Sequence, residues 1–310
     1  MASATGRAGI DASARAAARF GPSSLLGRTG LSVSSVGVAA ARLEDDDVLH
    51  ARALRMALDA GITLVGVGPR GAGASAVRRA LAESAAAGVV SRDGVVIVAE
   101  LDPDGGPDAL HHAWNDTTSR LGVDALDVAL LRAPTLASLS AMRDAMAWLE
   151  AKADAGALSA WGLAMPALAL RPGDPARIEL DAVLDAVARS VGASSRFGVL
   201  QLPINLLELG ATMADGDRPG CLAAAAAAGL GVLAQRPLRP LHGPLLVDPR
   251  GEAPELATPL AALRKLEARW ASDLGRALRI GGGDATDLFR WGQLLSQSEA
   301  RPDDLEGWQR

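Results

Sequence analysis

The stretch that decides the fold is Gly61-Ile-Thr-Leu-Val-Gly-Val-Gly-Pro-Arg-Gly71. It begins with the glycine that ends a helical pattern at 46–59, continues as the apolar run 62–67, and closes in a Gly-Pro turn. Glycine commonly terminates helices, and a short apolar run bounded by Gly and Pro is typical of a strand buried on both faces. The stretch therefore predicts a helix, then a buried parallel strand, then a loop at the carboxyl end of that strand.

The same alternation of apolar runs and longer amphipathic stretches extends along the chain in both directions. Strands are predicted at 35–39, 62–67, 95–101, 126–131, 157–164, 199–203 and 231–234. Helices are predicted at 46–59, 74–87, 107–121, 136–154, 177–190, 218–228 and 257–277. Seven such units predict an α/β fold, the (β/α)8 TIM-type barrel, with the eighth strand uncertain. The segment 277–283 is either that strand or the end of the preceding helix.

Length and composition indicate one domain with an extension at each end. A barrel commonly occupies a chain of 310 residues, and a hydrophobic fraction of 49% is ample for its core. Residues 1–22 contain three arginines and little acid, a composition shared by transit peptides and by disordered extensions, and we expect disorder. The barrel spans 23–283, and 284–310 form a C-terminal amphipathic helix and tail. An apolar stripe in this tail either packs on the barrel or docks a partner; its members are Leu288, Trp291 and Leu295.

Charge and cysteine content narrow the classes of partner and the compartment. A net charge of −5 without a basic stripe predicts no nucleic-acid binding, and no apolar run reaches the roughly 18 residues that cross a bilayer. The single cysteine, Cys221, cannot form an internal disulfide, so a cytoplasmic protein is expected. No metal site is predicted, because His111 and His112 are adjacent on a predicted helix and point about 100° apart. The oligomeric state is left open.

Six further segments have the order and spacing of a known family. They lie at 26–37, 54–61, 126–134, 160–163, 201–208 and 231–238. Together with the stretch 61–71, they resemble the aldo/keto reductase family over residues 24–240. The resemblance implies an eight-stranded barrel that binds NADP(H) and reduces a carbonyl group by hydride transfer from the nicotinamide.

The four positions that carry this family's proton relay hold other residue types here. In the family a Tyr hydroxyl donates the proton, a Lys lowers the pKa of that hydroxyl, an Asp pairs with the Lys, and a His orients the substrate. The resemblance places these four roles, in that order, at Gly71, Glu100, Gly66 and Arg132. General-acid catalysis needs a titratable group within hydrogen-bond reach of the oxygen. Glycine offers none and the chain contains no tyrosine, so the usual mechanism is excluded.

Two of the replacements carry opposite charges. Glu100 and Arg132 are predicted to end adjacent strands, so we expect a salt bridge between them across the active-site pocket that the resemblance implies. A lone carboxylate in a barrel mouth of low dielectric constant would be costly, which favours such a pair. The alternative is that both charges are solvated at an open rim.

The cofactor positions are partly retained. Gln201 and Asn205 match family positions near the nicotinamide, but the stacking Tyr between them is Ile204. After the seventh strand, the family's Ser corresponds to Arg236, which either faces a phosphate of the cofactor or forms a salt bridge at the rim. The family's Ser-Asn pair after the fifth strand is replaced by apolar residues, Ala164 and Met165. The cofactor is therefore either absent or NADP(H).

Two functions of different class follow. The first is a pseudoenzyme, a non-catalytic binding or scaffold barrel with a small-molecule or protein ligand at its mouth. The second is an NAD(P)H-dependent oxidoreductase that acts on a carbonyl and uses a non-standard proton donor, such as a water molecule positioned by Glu100. The loss of the proton-relay residues and of most nicotinamide contacts favours the first, and Gln201, Asn205 and Arg236 favour the second.

Overall fold

The structure, a computed structural model, describes most of the segment that the resemblance covers. The described residues are 23–43, 48–103, 106–205, 207–237, 241–242 and 245–246. Four predicted segments lie outside them, namely the extension 1–22, the helix 257–277, the candidate eighth strand 277–283 and the tail 284–310. The expectations for those segments stay predictions.

The strands begin with a short hairpin and continue into a parallel sheet. In chain order they are β1 (Ser24–Leu25), β2 (Ser32–Val33), β3 (Gly37–Ala39), β4 (Leu64–Val67), β5 (Val96–Leu101), β6 (Leu126–Arg132), β7 (Leu158–Ala164), β8 (Phe197–Pro203), β9 (Gly231–Gln235), β10 (Leu241–His242) and β11 (Leu245–Leu246). Strands β3 to β9 form one curled parallel sheet in which each strand pairs with the next along the chain. Two antiparallel hairpins accompany the sheet, β1 with β2 and β10 with β11.

Helices follow the strands of this sheet as the alternation predicts. Within the described residues they are α1 (Val48–Asp59), α2 (Ala74–Ala86), α3 (Gly106–Leu121), α4 (Leu136–Ala141), α5 (Arg143–Asp154), α6 (Leu180–Val191) and α7 (Cys221–Ala227). The apolar residues of α6 show the cause, since Leu180, Val183 and Val187 are buried on one face at helical spacing. None of the described helices is long and apolar enough to cross a membrane. The predicted α/β barrel class is confirmed, with seven parallel strands in place.

One helix that the sequence predicts as continuous is interrupted in the structure. The stretch 136–154 folds as α4 and α5, because Met142 between them has φ −92° and ψ 18°, outside the α-helical range. The start of α4 is a capping box in which Thr135 and Ser138 exchange side-chain and backbone hydrogen bonds. Other bounds differ by a few residues. The predicted strand 35–39, for example, is β3, and the predicted helix 218–228 is α7.

Apolar residues pack on both faces of the sheet, as expected for a barrel. The larger cluster lies between the sheet and the helices, and a smaller inner cluster lies on the opposite face. Leu26 and Val33, from the β1–β2 hairpin region, are buried in the inner cluster. Gly27 permits this close packing, because a Cβ atom at that position would lie 2.1 Å from the backbone nitrogen of Gly231.

Candidate functional site

Four predicted site residues lie on the inner face of the sheet, near the carboxyl ends of its strands. They are Gly66, Glu100, Arg132 and Gln201. Each follows, two positions later in its strand, an apolar residue of the inner cluster; these apolar residues are Leu64, Val98, Leu130 and Val199. Residues two apart in a strand share a face, so all four face the interior of the barrel. Barrel enzymes place their chemistry at this end.

A cavity of about 550 Å³ opens on the inner face. Gly66, Glu100 and Gln201 line it together with apolar side chains that include Val98 and Leu233. Three serine residues also contribute to the lining, at the opposite, amino-terminal end of the sheet; they are Ser24, Ser34 and Ser35. The volume falls within the range of about 300–1,000 Å³ that is typical of small-molecule sites.

The carboxyl group of Glu100 sits in a partly desolvated position. Burial raises its pKa above the ordinary value, while a hydrogen-bonding interaction with the Gln201 side chain and the positive charge of Arg132 act in the opposite direction. Glu100 lies on β5 and Gln201 on β8, three strands away, so their interaction spans the interior of the barrel. The structure thus brings two of the predicted site residues together.

The predicted salt bridge between Glu100 and Arg132 is wrong. Among the described residues, the Arg132 guanidinium forms its ion pair with Asp102, at 3.8 Å between Nη1 and Oδ2. The Arg132 side chain is 56% exposed, whereas Glu100 is half-buried deeper in the barrel. Arg132 is the last residue of β6 and Asp102 follows the end of β5, so both reach the rim. Arg132 acts on Glu100 through its electric field and not through contact.

Gly71 is not part of the cavity wall. It ends a 3₁₀ turn at Pro69–Gly71 and has φ +71°, a left-handed conformation that side chains rarely adopt. A Cβ atom there would lie 3.1 Å from the Cα of Thr117 and 3.1 Å from Cδ of Arg120, both on α3. The position that the resemblance assigns to the family's Tyr therefore packs against a helix, and a large side chain does not fit without displacing it.

Gly66, in contrast, has room for a side chain. It lies in extended backbone on β4, and a Cβ atom built there would have its nearest neighbours at 3.8 Å and 3.9 Å, in Ala39 and Val38. These are ordinary van der Waals distances. The absence of a side chain at Gly66 therefore enlarges the cavity without serving the packing of the strands.

The side chain of Asn205 forms hydrogen bonds within the loop that follows β8. Its Oδ1 accepts hydrogen bonds from the backbone nitrogens of Leu207 and Glu208, at 3.0 and 2.9 Å. Its Nδ2 donates to Oε2 of Glu208 at 2.6 Å and to the carbonyl oxygen of Arg236 at 3.2 Å. Both Asn205 donors and its acceptor oxygen are thus used in holding this loop to the end of β9.

Arg236 completes the same network. Its Nη2 contacts Oε1 of Glu208 at 2.5 Å, and the side chains of Arg236 and Glu208 are 20% and 18% exposed. Arg236 also has φ +56°, so the backbone itself is held in an unusual conformation at this point. Of the two alternatives that the sequence left open for Arg236, the salt bridge is the one that the structure contains.

The other positions that the resemblance places near a nicotinamide are apolar and offer little hydrogen bonding. Ala164 and Met165 are buried and apolar, and Ile204 packs against the cluster between the sheet and the helices. Gln201 remains in the cavity, with its Oε1 buried and without a hydrogen-bond partner among the described residues. Gln201 therefore has different hydrogen-bonding partners from Asn205 and Arg236, which the resemblance had grouped as one cofactor set.

Other reactive groups are used in packing. Cys221 is buried, and burial raises the pKa of its thiol to about 11, so a thiolate nucleophile is not available near neutral pH. His111 stacks on Trp148 with ring centroids 4.8 Å apart, and Nζ of Lys152 lies 5.1 Å from the Trp148 ring. The described residues contain no group of histidine, cysteine and carboxylate side chains that could hold a metal ion.

Two residues of the site were missed by the sequence analysis. Asp102 binds Arg132, and Glu208 binds both Asn205 and Arg236. The sequence contains a weak signal for each of them. Asp102 follows the end of a predicted strand, and Glu208 stands three residues after Asn205 in a predicted loop. An acidic residue three positions after an Asn is too common to single out one partner.

Replacing Glu100 by glutamine should stabilise the fold near neutral pH. Since burial raises the pKa of Glu100, the folded protein holds the proton at pH values where the unfolded chain has released it. Stability contributed by this group therefore decreases as pH rises through the unfolded-state value of about 4.3. Glutamine carries no charge, so the Glu100→Gln variant does not lose stability in this way as pH rises. The free energy of unfolding of the variant should therefore exceed that of the wild type near neutral pH, and the two values should converge below about pH 4.

Urea unfolding at a series of pH values checks this expectation. Glu83→Gln makes the same chemical change on α2, where the Glu83 side chain is 46% exposed, and serves as the control. Equal or lower stability of Glu100→Gln near neutral pH would contradict the argument from burial.

Comparison with known proteins agrees with this architecture. No protein-family model and no curated protein matches the sequence. An aldo-keto reductase of Bombyx mori, solved in complex with NADP, is 17% identical, with 78% of this chain and 76% of that chain covered and a TM-score of 0.50. An aldo/keto reductase of Brucella melitensis is 14% identical, with 69% and 70% covered and a TM-score of 0.51. The described part of this chain has the aldo/keto reductase fold.

Proposed function

We propose that this chain is a non-catalytic barrel that binds a small molecule in the cavity on its inner face. The observation that carries the proposal is the composition of the cavity at its carboxyl-terminal end, where the polar groups among the described residues are Glu100 and Gln201. Neither a tyrosine, a lysine nor a histidine lines the described wall. A cavity that can hold a ligand but lacks the family's proton donor supports binding without carbonyl reduction.

The described residues do not fit NADP(H) held as the resemblance implies. The guanidinium of Arg236 is engaged by Glu208, and every polar atom of the Asn205 side chain is used within the same network. The positions that would bind the carboxamide after β7 are apolar, Ala164 and Met165. Gln201 alone is a single contact, and a nicotinamide needs several to be oriented for hydride transfer.

Carbonyl reduction is the activity that tests the proposal. With benzaldehyde as substrate and NADPH as reductant, we expect no oxidation of NADPH above the uncatalysed background. The physical reason is that Gly66 and Gly71 cannot replace a carboxylate and a phenol, and that Gly71 does not reach the cavity. The measurement is the loss of NADPH absorbance with time, with the full chain at high concentration. A parallel titration of NADPH fluorescence reports binding independently of turnover.

One observation favours a second function, an oxidoreductase in which Glu100 provides the proton. Burial raises the pKa of Glu100, and a carboxylic acid that stays protonated to higher pH is a better general acid. Glu100→Gln separates the two functions. Turnover in the wild type that disappears in Glu100→Gln would overturn the non-catalytic proposal and establish the enzyme.

A further inference from the structure

The cavity has an unusual hydrogen-bonding character at its carboxyl-terminal end. A carboxylate can only accept hydrogen bonds, so the group of Gln201 that interacts with Glu100 is its amide nitrogen. This orientation leaves Oε1 of Gln201 buried and without a partner among the described residues. Glu100 and Gln201 therefore present two acceptor groups side by side. A buried acceptor without a partner loses its hydrogen bonds to water and gains none in return, and a ligand with N–H groups would restore them.

The negative charge of Glu100 also lacks a direct counter-ion within the described part of the barrel. None of the ion pairs among the described residues includes Glu100. Arg132 pairs with Asp102 at the rim, where its side chain is more than half exposed, so its charge reaches Glu100 only from a distance and partly screened by water. The resemblance assigns to Glu100 the position of the family's lysine, so a carboxylate would stand where the family has an ammonium group.

We propose that the cavity takes a small organic cation, a primary ammonium group on an apolar body, with Glu100 and Gln201 binding the ammonium. The inference rests on the proposed function, because it presumes that the cavity binds a small molecule. An ammonium group has three N–H donors. Two of them match the Glu100 carboxylate and the Gln201 oxygen that has no partner among the described residues, and its positive charge supplies the counter-ion that those residues do not. The apolar body of the ligand contacts the walls formed by Leu64, Val98 and Leu233.

Other ligand classes fit the same wall less well. Among the described residues at this end of the cavity, an anion would meet the negative charge of Glu100 and the acceptor oxygen of Gln201, and the Gln201 amide nitrogen already interacts with Glu100. A divalent metal ion takes about six to eight oxygen ligands in the case of calcium, whereas the described residues contain no cluster of three metal-ligating side chains. A neutral alcohol can donate one hydrogen bond but leaves the charge uncompensated.

Gly66 gives a way to locate the ligand. Because a side chain at this position projects toward the cavity without clashing with the backbone, Gly66→Val should fill part of the cavity while the strand stays intact. This variant removes volume and leaves the charge unchanged. Glu100→Gln removes the charge and leaves the volume unchanged, so the two substitutions report on separate properties of one site.

The experiment is a calorimetric titration of the full chain near neutral pH with three probes that share one apolar body. The probes are cyclohexylmethylammonium, cyclohexylmethanol and cyclohexanecarboxylate. We expect the ammonium probe to bind about tenfold or more tightly than the alcohol, and the carboxylate to bind weakest. In Glu100→Gln the ammonium and the alcohol should bind with similar affinity. In Gly66→Val both should bind about tenfold more weakly than to the wild type.

Each other outcome overturns the inference. Binding of the alcohol or the carboxylate as tight as that of the ammonium, or a preference for the ammonium that survives in Glu100→Gln, would remove the role of Glu100. Unchanged affinities in Gly66→Val would place the ligand elsewhere, and the absence of binding by all three probes would refute the site. NADPH-dependent turnover would refute the non-catalytic function and leave a preference for the ammonium standing, so the two proposals fail separately.

Discussion

Replacing Gly162 by alanine is expected to destabilise the barrel by about 3 kcal/mol or more. Gly162 lies in β7, and a Cβ atom there would stand 2.0 Å from the carbonyl oxygen of Val199 and 2.7 Å from its carbonyl carbon. These are backbone atoms of β8, the neighbouring strand, so no side-chain rotation can relieve the overlap. The pairing of β7 with β8 is already irregular between Trp161 and Gly162. An added methyl group would have to push the two strands apart.

Urea unfolding of Gly162→Ala beside Gly66→Ala measures this effect. Both residues are glycines of central strands, but a Cβ atom at Gly66 meets nothing closer than 3.8 Å. Alanine in a strand interior is favoured over glycine by about 0.5–1 kcal/mol, so Gly66→Ala should be stabilising by that amount. Equal effects of the two substitutions would show that close approach of β7 and β8 is not what requires glycine at 162.

The second large effect is expected from Arg236→Met, at about 2–3 kcal/mol of lost stability. Breaking a buried ion pair from one side costs about 3–5 kcal/mol, and the exposure of about a fifth of each side chain reduces the loss. Arg236 contacts Glu208 at 2.5 Å, and Glu208 in turn binds Asn205. Methionine keeps the length of the side chain and removes its charge and donors. The loss therefore reports on the ion pair more than on packing.

Arg132→Met is the matched control, because it makes the same change in the pair with Asp102. That pair is 3.8 Å long, and its side chains are 56% and 28% exposed, so its loss should cost less than about 1 kcal/mol. The comparison is made by chemical denaturation of both variants under one set of conditions. If Arg236→Met were as mild as Arg132→Met, the pair with Glu208 would not hold the Arg236 guanidinium, and that group would be available to a phosphate of a dinucleotide.

Much of the fold was predictable from local pattern. A parallel strand buried on both faces must be apolar along its whole length, and the helix that follows must be apolar on one side only. Both requirements are met within windows of about ten residues, which is why β4 and α2 are visible in the sequence. The break between α4 and α5 was missed, since the backbone angles of Met142 leave no mark in residue type.

The sequence predicts where the residues of the candidate site lie on the sheet better than it predicts which side chains contact each other. The order of strands and the alternation of side chains place Gly66, Glu100 and Gln201 on the inner face at one end of the barrel. Which partner Arg132 takes depends on distances of a few ångströms between Glu100 and Asp102, two residues apart on β5 and the loop after it. The direction of a long side chain at a strand end is not encoded in its spacing.

By itself, the sequence determined that the chain has the α/β barrel class and that it contains no tyrosine, because both depend on residue types and their order. The tertiary structure alone decided that Gly71 packs on α3, that Arg132 turns to Asp102, and that Asn205 and Arg236 close a network through Glu208. Each of these outcomes depends on which groups of separate elements meet in space. These contacts are set by the packing of strands and helices against one another, and the sequence of a single segment does not specify them.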